Sequence, residues 1–163
     1  MDPTPDPGTQ TLTTAIELPL GIEEVFAFFA AAANLERITP PELGFRIQSP
    51  LPIDIAKDTR IDYRLSLFGL PFSWRSHISH WDPPHSFVDE QIKGPYALWH
   101  HTHTFTATPT GTLIADRVLY RLPLWPLGQL ALPVVKLQLR RIFSYREQAI
   151  ARILLGDSEK HPA

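Results

Sequence analysis

Apolar and polar residues alternate along most of residues 59–122, in five stretches separated by turn-forming residues. A period of two is typical of β-strands that bury one face and expose the other. The connections are short, as at residues 68–71 and 109–111, and short connections join antiparallel neighbours. The region therefore predicts a meander of five antiparallel strands.

The pattern before this region predicts a strand, a helical segment and a second, short strand. Residues 11–20 alternate and are rich in β-branched residues, so they form the first strand, which Gly21 ends. Residues 22–39 follow a helical period with acidic residues in the first turn and a break near Asn34. Two prolines then close the helical segment, and residues 44–50 form the short strand.

The pattern after the meander is helical again. Apolar residues recur at helical spacing over residues 127–155 and predict one long C-terminal helix that ends near Gly156. Pro133 falls about two turns inside this helix, where we expect a kink. The proline-rich run over residues 121–133 is either a lid over a cavity mouth or the connector that orients the helix.

The charged residues indicate which strand faces are buried. In residues 60–67, Arg60, Asp62 and Arg64 alternate with apolar residues, so the apolar set faces the core. Carrying that register across the turns places further residues, polar ones among them, on the core side. They are Phe72, Trp74, Ser76, Ile78, His80, Phe87, Asp89, Gln91, Trp99, His101, His103, Phe105, Asp116, Val118 and Tyr120.

Two carboxylates and two histidines on this face form an unusual polar cluster. The register sets Asp89 opposite His101 and His103 opposite Asp116, with directly opposed Cβ atoms about 5 Å apart. We therefore predict two carboxylate and imidazole pairs in one wall of a cavity. Such pairs either satisfy one another as a structural network or orient a bound ligand.

The same cluster permits two further kinds of chemistry. A histidine held by a carboxylate could act as a general base beside a carbonyl, which makes His101, His103, Asp89 and Asp116 candidate catalytic residues. His101 and His103 are also spaced to bracket a zinc ion, with one aspartate as third ligand. Because each histidine is predicted to pair with its own carboxylate, we predict no metal and no cofactor.

Apolar side chains surround the polar cluster, as in most small-molecule pockets. We predict ligand contacts from the core side of the strands and from one residue of the C-terminal helix. These residues are Tyr63, Trp74, Ser76, Asp89, Gln91, Trp99, His101, His103, Phe105, Val118, Tyr120 and Phe143. The cationic residues of the helix, which are Lys136, Arg140, Arg141 and Arg146, are interpreted as its solvated face.

Composition narrows the class of protein. The chain has 163 residues, of which 44% are hydrophobic, and a formal net charge of −2, which fits one globular domain and argues against non-specific nucleic-acid binding. It has no cysteine, which excludes disulfides and mildly favours a reducing cytoplasmic location. Its longest uncharged apolar run is too short and too rich in proline to span a membrane.

We expect a single domain over residues 11–156. Residues 1–10 are rich in Pro, Asp and Thr and predict a disordered tail, and residues 157–163 predict a frayed C-terminus. The sequence gives no indication of the oligomeric state.

The order of the predicted elements resembles that of a known superfamily. One strand, short helices, six antiparallel strands and one long helix is the order of the helix-grip fold of START-like or SRPBCC proteins, which include the birch pollen allergen, lipid-transfer START domains and aromatic polyketide cyclases. The resemblance covers residues 11–155 and is carried by residues 22–41, 87–105 and 111–128. It implies an α+β fold in which a curved antiparallel sheet of about seven strands wraps around the C-terminal helix. Short helices lie between strands 1 and 2, and a cavity lies between sheet and long helix.

The resemblance indicates function only coarsely, because the superfamily includes both carriers and enzymes. We expect a bacterial ligand-binding member that holds a small hydrophobic or amphipathic molecule in its cavity. A cyclase, dehydratase or hydrolase using a pocket His and Asp pair is the first alternative. A protein-interaction or co-chaperone module is the second, and it would need an apolar patch outside the pocket, which the charged outward strand faces do not offer.

Overall fold

The computed structural model describes residues 2–159, including the side chains of residues 2–156. Its strands are β1 (Gln10–Leu18), β2 (Arg46–Ile47), β3 (Arg60–Leu67), β4 (Leu70–Asp82), β5 (Ser86–Lys93), β6 (Leu98–Thr108) and β7 (Gly111–Arg121). They form one antiparallel sheet in the order β1-β7-β6-β5-β4-β3-β2. The first strand therefore pairs with the last, and the predicted meander fills the middle of the sheet.

The helices lie where the sequence pattern predicts them. Helices α1 (Ile22–Ala30) and α2 (Asn34–Arg37) and a 3-10 turn (Pro41–Leu43) connect β1 to β2. A second 3-10 turn (Leu127–Ala131) leads into the long helix α3 (Leu132–Glu159). This arrangement of a seven-stranded antiparallel sheet, short N-terminal helices and one long C-terminal helix confirms the predicted helix-grip fold class.

The ends of α3 differ from the prediction. The helix begins at Leu132, so Pro133 lies in its first turn, where a missing backbone N–H is tolerated, and the predicted kink is wrong. The helix continues past Gly156 to Glu159. Residues 160–163, which belong to the predicted frayed terminus, lie outside the described residues. No helix in residues 2–159 is long and apolar enough to cross a bilayer.

The hairpin between β3 and β4 has a tighter turn than the sequence suggests. Leu67 pairs with Leu70, which leaves only Phe68 and Gly69 in the turn. Both residues have positive φ, 52° and 76° respectively. Two consecutive left-handed residues match the right-handed twist of the strands that they join. Because the turn is this short, β4 begins at Leu70, two residues before the predicted start at Phe72.

The register of β5, β6 and β7 is as predicted. Asp89 pairs with His101, and His103 pairs with Asp116. The register of β4 shifts between Ile78 and His80, where a β-bulge inserts a residue. Beyond the bulge the strand faces are exchanged, because one extra residue reverses the alternation. The predicted inward position of His80 is therefore wrong, since His80 is exposed.

Trp81 takes the inward position that the bulge creates. Its ring lies 5.1 Å from that of Phe26 in α1 and 5.5 Å from that of Phe87 in β5, measured between centroids. Phe105 of β6 completes this aromatic core, 5.3 Å from Phe26. The core thus joins strands β4, β5 and β6 to α1, and α3 adds Ile150 to it.

Residues 2–9 contact the last strand. Asp2 forms an ion pair with Arg117, and Oδ2 of Asp6 lies 2.5 Å from Nη1 of Arg121. Gly8 lies against the ring of Trp125, where a Cβ would come within 2.5 Å of the indole. The disorder of residues 1–10 stays a prediction.

Candidate functional site

A pocket with two lobes lies between the sheet, α1, α2 and α3. The larger lobe has a volume of about 120 Å³ and the smaller lobe about 30 Å³. Four residues line both lobes, so they mark the place where the lobes meet. They are Leu35, Ile38, Asp89 and Arg146. The junction therefore combines two apolar side chains with one acid and one cation.

Aromatic side chains form much of the larger lobe. Trp74 stacks on Tyr63 with 5.8 Å between ring centroids and meets Trp99 edge-on at 5.3 Å. Tyr96 packs on Trp99 at 4.9 Å. Further apolar lining comes from Leu43, Phe45, Leu65, Leu67, Leu139, Ile142 and Phe143. Such walls suit an apolar or aromatic ligand.

The smaller lobe is narrow and lies beside α1. Phe28, Phe29 and Phe87 line it together with Ser76 and His103. A space of about 30 Å³ can hold one or two water molecules. It is therefore sized for water or for a small polar group of a ligand, and not for a hydrocarbon chain.

One buried carboxylate, that of Asp116, contacts both histidines of the cluster. Its Oδ1 lies 2.8 Å from Nε2 of His101 and 2.8 Å from Nδ1 of His103. The contact with His101 is a hydrogen bond, whereas Nδ1 of His103 is poorly aligned for one. Oγ1 of Thr14 donates to the other carboxylate oxygen at 3.4 Å.

The predicted pairing of Asp89 with His101 is therefore wrong, although the two residues are opposite in register. His101 lies diagonal to Asp116 across β6 and β7, and a diagonal neighbour is within reach of a ring. Both imidazoles thus share one carboxylate, and no hydrogen bond or ion pair joins Asp89 to either histidine among the described residues.

Burial controls the protonation of this cluster. His103 stacks on Phe87 at 4.1 Å between centroids and lies 3.8 Å from the ring of His101. Burial and the neighbouring His101 lower the pKa of His103 to about 3, so its imidazole is neutral at pH 7. Burial alone would raise the pKa of Asp116, but the two imidazoles hold it well below its usual range. The cluster thus combines an ionised carboxylate with a neutral imidazole.

Asp89 is the acid of the cluster that neither histidine hydrogen-bonds. Its Oδ1 is buried and has no hydrogen-bond partner. Burial raises the pKa of this carboxyl, against the opposite effects of His101 and of a hydrogen bond from Ser76. The nearby Ser76 hydroxyl accepts a hydrogen bond from Nε1 of Trp74 at 3.2 Å and bonds the Tyr63 hydroxyl at 3.2 Å. A buried oxygen without a partner costs free energy until a donor reaches it, so Asp89 is available to a ligand.

Arg146 is a pocket residue that the sequence interpretation assigned to the solvated face of α3. Its Nε and Nη2 atoms are buried and have no hydrogen-bond partner. Its guanidinium carbon lies 5.6 Å from the centre of the Phe29 ring. A signal was present, because Leu139, Phe143, Arg146 and Ile150 follow one another at helical spacing. Arg146 therefore occupies a position of the apolar stripe that packs against the sheet.

Asp89, His101 and His103 could together hold a metal ion. One ligand atom from each of them lies within 4.8 Å of the others. Asp116 would then orient the imidazoles from behind, as carboxylates do behind metal-bound histidines. Arg146 disfavours a cation here, because its positive guanidinium borders the same two lobes. The positive charge of Arg146 therefore argues against a cation at these three residues.

Solved structures with the same architecture identify the fold. A START superfamily protein from Mycobacterium smegmatis superposes with a TM-score of 0.66 at 12% identity, over 90% of this chain and 97% of that one. Norcoclaurine synthase from Thalictrum gives 0.67 at 14% identity, over 92% and 96%. A protein from Thermus thermophilus gives 0.69 at 17% identity, over 91% and 99%. The fold is START-like.

No protein-family model matches the chain, and comparison with the curated proteins gives no match either. Identities of 12% to 17% establish the START-like fold and do not establish a function, because one fold hosts many. The function has to be argued from the residues of the pocket.

Eight of the predicted ligand contacts line one of the lobes of this START-like pocket. They are Tyr63, Trp74, Ser76, Asp89, Trp99, His101, His103 and Phe143. Gln91 instead exchanges two hydrogen bonds with the backbone of Tyr96 and holds the loop between β5 and β6. Phe105, Val118 and Tyr120 belong to the packed core.

Other lining residues come from segments outside the strands, where the alternating pattern makes no prediction about which side chains face the pocket. Leu35 and Ile38 follow α1, and Leu43 and Phe45 precede β3. The proline-rich run over residues 121–133 connects β7 to α3, and none of its residues lines either lobe.

Proposed function

We propose that this protein binds a small, largely apolar molecule in the two-lobed pocket of its START-like fold. The supporting observation is an aromatic lobe of about 120 Å³ that adjoins polar atoms without partners on Asp89 and Arg146. Small-molecule sites combine apolar walls with a few polar groups that orient the ligand. The apolar part of the ligand occupies the larger lobe, and its polar end reaches the junction of the lobes.

The volume of the pocket limits the size of the ligand. A dry cavity of about 150 Å³ admits a molecule the size of benzene, and the larger lobe is of that order. We therefore expect a ligand with one aromatic ring or a short alkyl chain. A phospholipid would need a much larger space.

Titration of the isotope-labelled protein with 1-octanol, followed by NMR, tests this proposal. Saturable shifts are expected at the indoles of Trp74 and Trp99, which line the larger lobe, and not at the exposed Trp125. The variant Ile142→Trp should fill the lobe and abolish these shifts. Leu137→Trp adds the same ring to the exposed side of α3 and should leave them unchanged. Absence of saturable shifts in the wild type, or their persistence in I142W, contradicts the proposal.

An acid–base enzyme is the second candidate, and one observation favours it. His101 lines the larger lobe while the buried Asp116 holds its Nε2 at 2.8 Å. A carboxylate that fixes an imidazole in this way is the arrangement that general bases use. Norcoclaurine synthase, a structural neighbour, shows by its name that this fold also serves enzymes.

Organic molecules released by unfolding the purified protein distinguish the two candidates. If the protein is a carrier, the masses of these molecules should not change when they are incubated with fresh protein. If it is an enzyme, their masses change, and His101→Gln stops the change while 1-octanol binding persists.

A further inference from the structure

The side edge of the Arg146 guanidinium is buried and empty. Nε and Nη2 form this edge, and both atoms lack a hydrogen-bond partner. Their two N–H bonds are parallel and match the two oxygens of a carboxylate. A buried cation with two unpaired donors is unfavourable on its own, so this edge requires an anionic partner.

A second arginine of the same chain shows what such an edge binds. On the outer face of the sheet, Nε of Arg75 donates to Oδ1 of Asp62 at 2.7 Å, and Nη2 donates to Oδ2 at 3.0 Å. The same two atoms of Arg146, a residue that lines the pocket, are buried and have no carboxylate as partner. The position that Asp62 fills for Arg75 is therefore left for a ligand.

The acids of the pocket do not fill this position. Asp89 borders the same lobes, but no hydrogen bond or ion pair joins it to Arg146 among the described residues. Asp116 is held by His101 and His103. The carboxylate that completes Arg146 must come from outside the described chain.

We propose that Arg146 binds the carboxylate of a small amphipathic acid whose apolar part lies in the larger lobe. This inference rests on the proposed function and adds the chemical class of the ligand. A carboxylate fits better than a phosphate, because Arg146 is the one lysine or arginine among the described residues that line either lobe. A phosphate dianion would bring a second charge that no other cation of the pocket balances.

Calorimetric titration with octanoate, 1-octanol and octylammonium tests the inference, since the three share one alkyl chain and differ in charge. The wild-type protein should bind octanoate about tenfold or more tightly than 1-octanol, and octylammonium most weakly. Arg146→Met keeps the length of the side chain and should remove the preference for octanoate, while the affinity for 1-octanol stays unchanged.

Arg146→Lys keeps the positive charge but lacks the pair of parallel N–H donors, and it should retain only part of the preference for octanoate. Arg152→Met, on the exposed side of α3, is the matched control and should behave as wild type.

The outcomes separate this inference from the proposed function. Equal binding of octanoate and 1-octanol by the wild type, or a preference that survives in R146M, overturns the role of Arg146 and leaves the apolar pocket standing. Failure of both compounds to bind overturns both. A preference for octanoate that disappears with EDTA overturns the inference in favour of a metal ion on Asp89, His101 and His103. If R146M does not fold, R146K is compared with the wild type, and an undiminished preference for octanoate in R146K overturns the inference.

The connection between β7 and α3 exposes an unusual number of apolar side chains. Leu124, Leu127 and Leu130 are 79%, 72% and 84% exposed. Trp125, Val134 and Leu137 are exposed as well. These six side chains, called the 124–137 surface below, form the apolar patch that the charged strand faces did not lead us to expect. Patches of this kind mark contact sites in soluble proteins.

The chain segment that carries the 124–137 surface has charges of one sign. No acidic residue occurs in the sequence between Asp116 and Glu147. Lys136 and Arg140 lie beside the surface and form no ion pair among the described residues. Leucine, tryptophan and free cations on one short segment are typical of helices that lie on anionic membranes.

We infer that the 124–137 surface docks on an anionic lipid bilayer. A second copy of the chain is a poorer occupant, because a two-fold interface through this surface would bring the same cations together. A bilayer with anionic headgroups matches both the apolar side chains and the cations. This inference is independent of the pocket and of its ligand.

Sedimentation with vesicles tests this inference. The protein should pellet with vesicles of phosphatidylcholine and phosphatidylglycerol in a two-to-one mixture, and much less with phosphatidylcholine alone or at high salt. Leu130→Glu and Lys136→Glu should each weaken pelleting about tenfold. Arg64→Glu makes the same charge change as K136E on the exposed face of β3 and should have little effect.

Equal pelleting with both vesicle types, no pelleting, or equal loss in K136E and R64E overturns the inference. A dimer in solution that L130E dissociates overturns it in favour of a second copy of the chain.

Discussion

The carboxylates of Asp89 and Asp116 lie beside the same two histidines and have different surroundings. Asp116 is held by two imidazoles, which keep its pKa low and its charge compensated. Asp89 has an oxygen without a partner, and burial raises its pKa. Loss of the Asp116 carboxylate leaves two buried imidazoles without their partner, whereas loss of the Asp89 carboxylate removes an oxygen that itself has no partner. We therefore predict that Asp116 has a structural role and that Asp89 is the acid that a ligand can use.

Substitution of the two acids should show this difference. We expect Asp116→Ala to lower the free energy of unfolding by roughly 3 kcal/mol, because it breaks a buried and paired charge. Asp89→Asn should change stability by less than about 1 kcal/mol, because Oδ1 has no bond to lose. Urea unfolding at neutral pH measures both. A larger loss in D89N than in D116A would mean that the pairing is as first predicted from the register.

His103 should make stability depend on pH. Its pKa is 6.5 in a model peptide and about 3 in the fold, so below pH 6.5 the unfolded chain binds more protons. Its contribution is fully present above pH 6.5 and is lost as the pH falls toward 3. The resulting decrease between pH 7.5 and pH 5 is roughly 2 kcal/mol. His103→Phe preserves the stack on Phe87 and should lack this decrease.

The comparison of H103F with the wild type isolates His103 from Asp89. The raised pKa of Asp89 acts with the opposite sign, since its contribution is lost as the pH rises through the folded pKa. That effect is common to both proteins and cancels in the difference. Parallel pH profiles for the two proteins would show that His103 is not held neutral in the fold.

At the residue scale, the sequence predicted which residues are opposite each other on neighbouring strands, but not which side chains form hydrogen bonds. The register correctly placed Asp89 opposite His101 and His103 opposite Asp116. It could not show that His101 would bond diagonally to Asp116, because two neighbouring carboxylates lie within reach of one ring.

Among the elements, the pairing of β1 with β7 joins the first strand to the meander. Gly111 begins β7, and a Cβ built there would lie 1.9 Å from the backbone oxygen of Leu18. The two strands can therefore approach only because this residue has no side chain.

Gly111→Ala should lower the free energy of unfolding by roughly 2 to 4 kcal/mol, because backbone atoms of β1 or β7 must move. Gly156→Ala is the control. A Cβ at Gly156 meets nothing within 4 Å, and this helical position should gain about 0.5 to 1 kcal/mol. Urea unfolding of both variants checks the pair. Equal stability of G111A and wild type would show that the strands do not approach as closely as described.

Alternation predicted the strands well because one face of the sheet is buried and the other is charged. It failed at the bulge after Ile78, since a bulge adds one residue without a marker in the sequence. The helical stripe of apolar residues predicted α3. The position of Arg146 within this stripe also indicates that its side chain is directed toward the sheet. An arginine among apolar positions was assigned to solvent on its residue type alone, although its spacing placed it inside.

For the whole molecule, the START-like fold and the polar pocket wall were predictable from the sequence, whereas the volume and charge of the pocket were not. Volume depends on how α2 and the turn at Pro41–Leu43 pack over the sheet, and these segments carry no periodic pattern. Charge depends on which polar atoms remain unpaired after folding, which only the assembled pocket shows. Those unpaired atoms, on Asp89 and Arg146, are the basis for expecting an amphipathic acid.

A crystal structure of the protein grown with saturating octanoate tests the central claim most directly. We predict density for the alkyl chain in the larger lobe, between Trp74 and Trp99, with the carboxylate on Nε and Nη2 of Arg146. Density for octanoate outside the pocket alone, or a pocket that stays closed and empty at saturation, would contradict the claim that this fold binds a small amphipathic molecule between its sheet and its long helix.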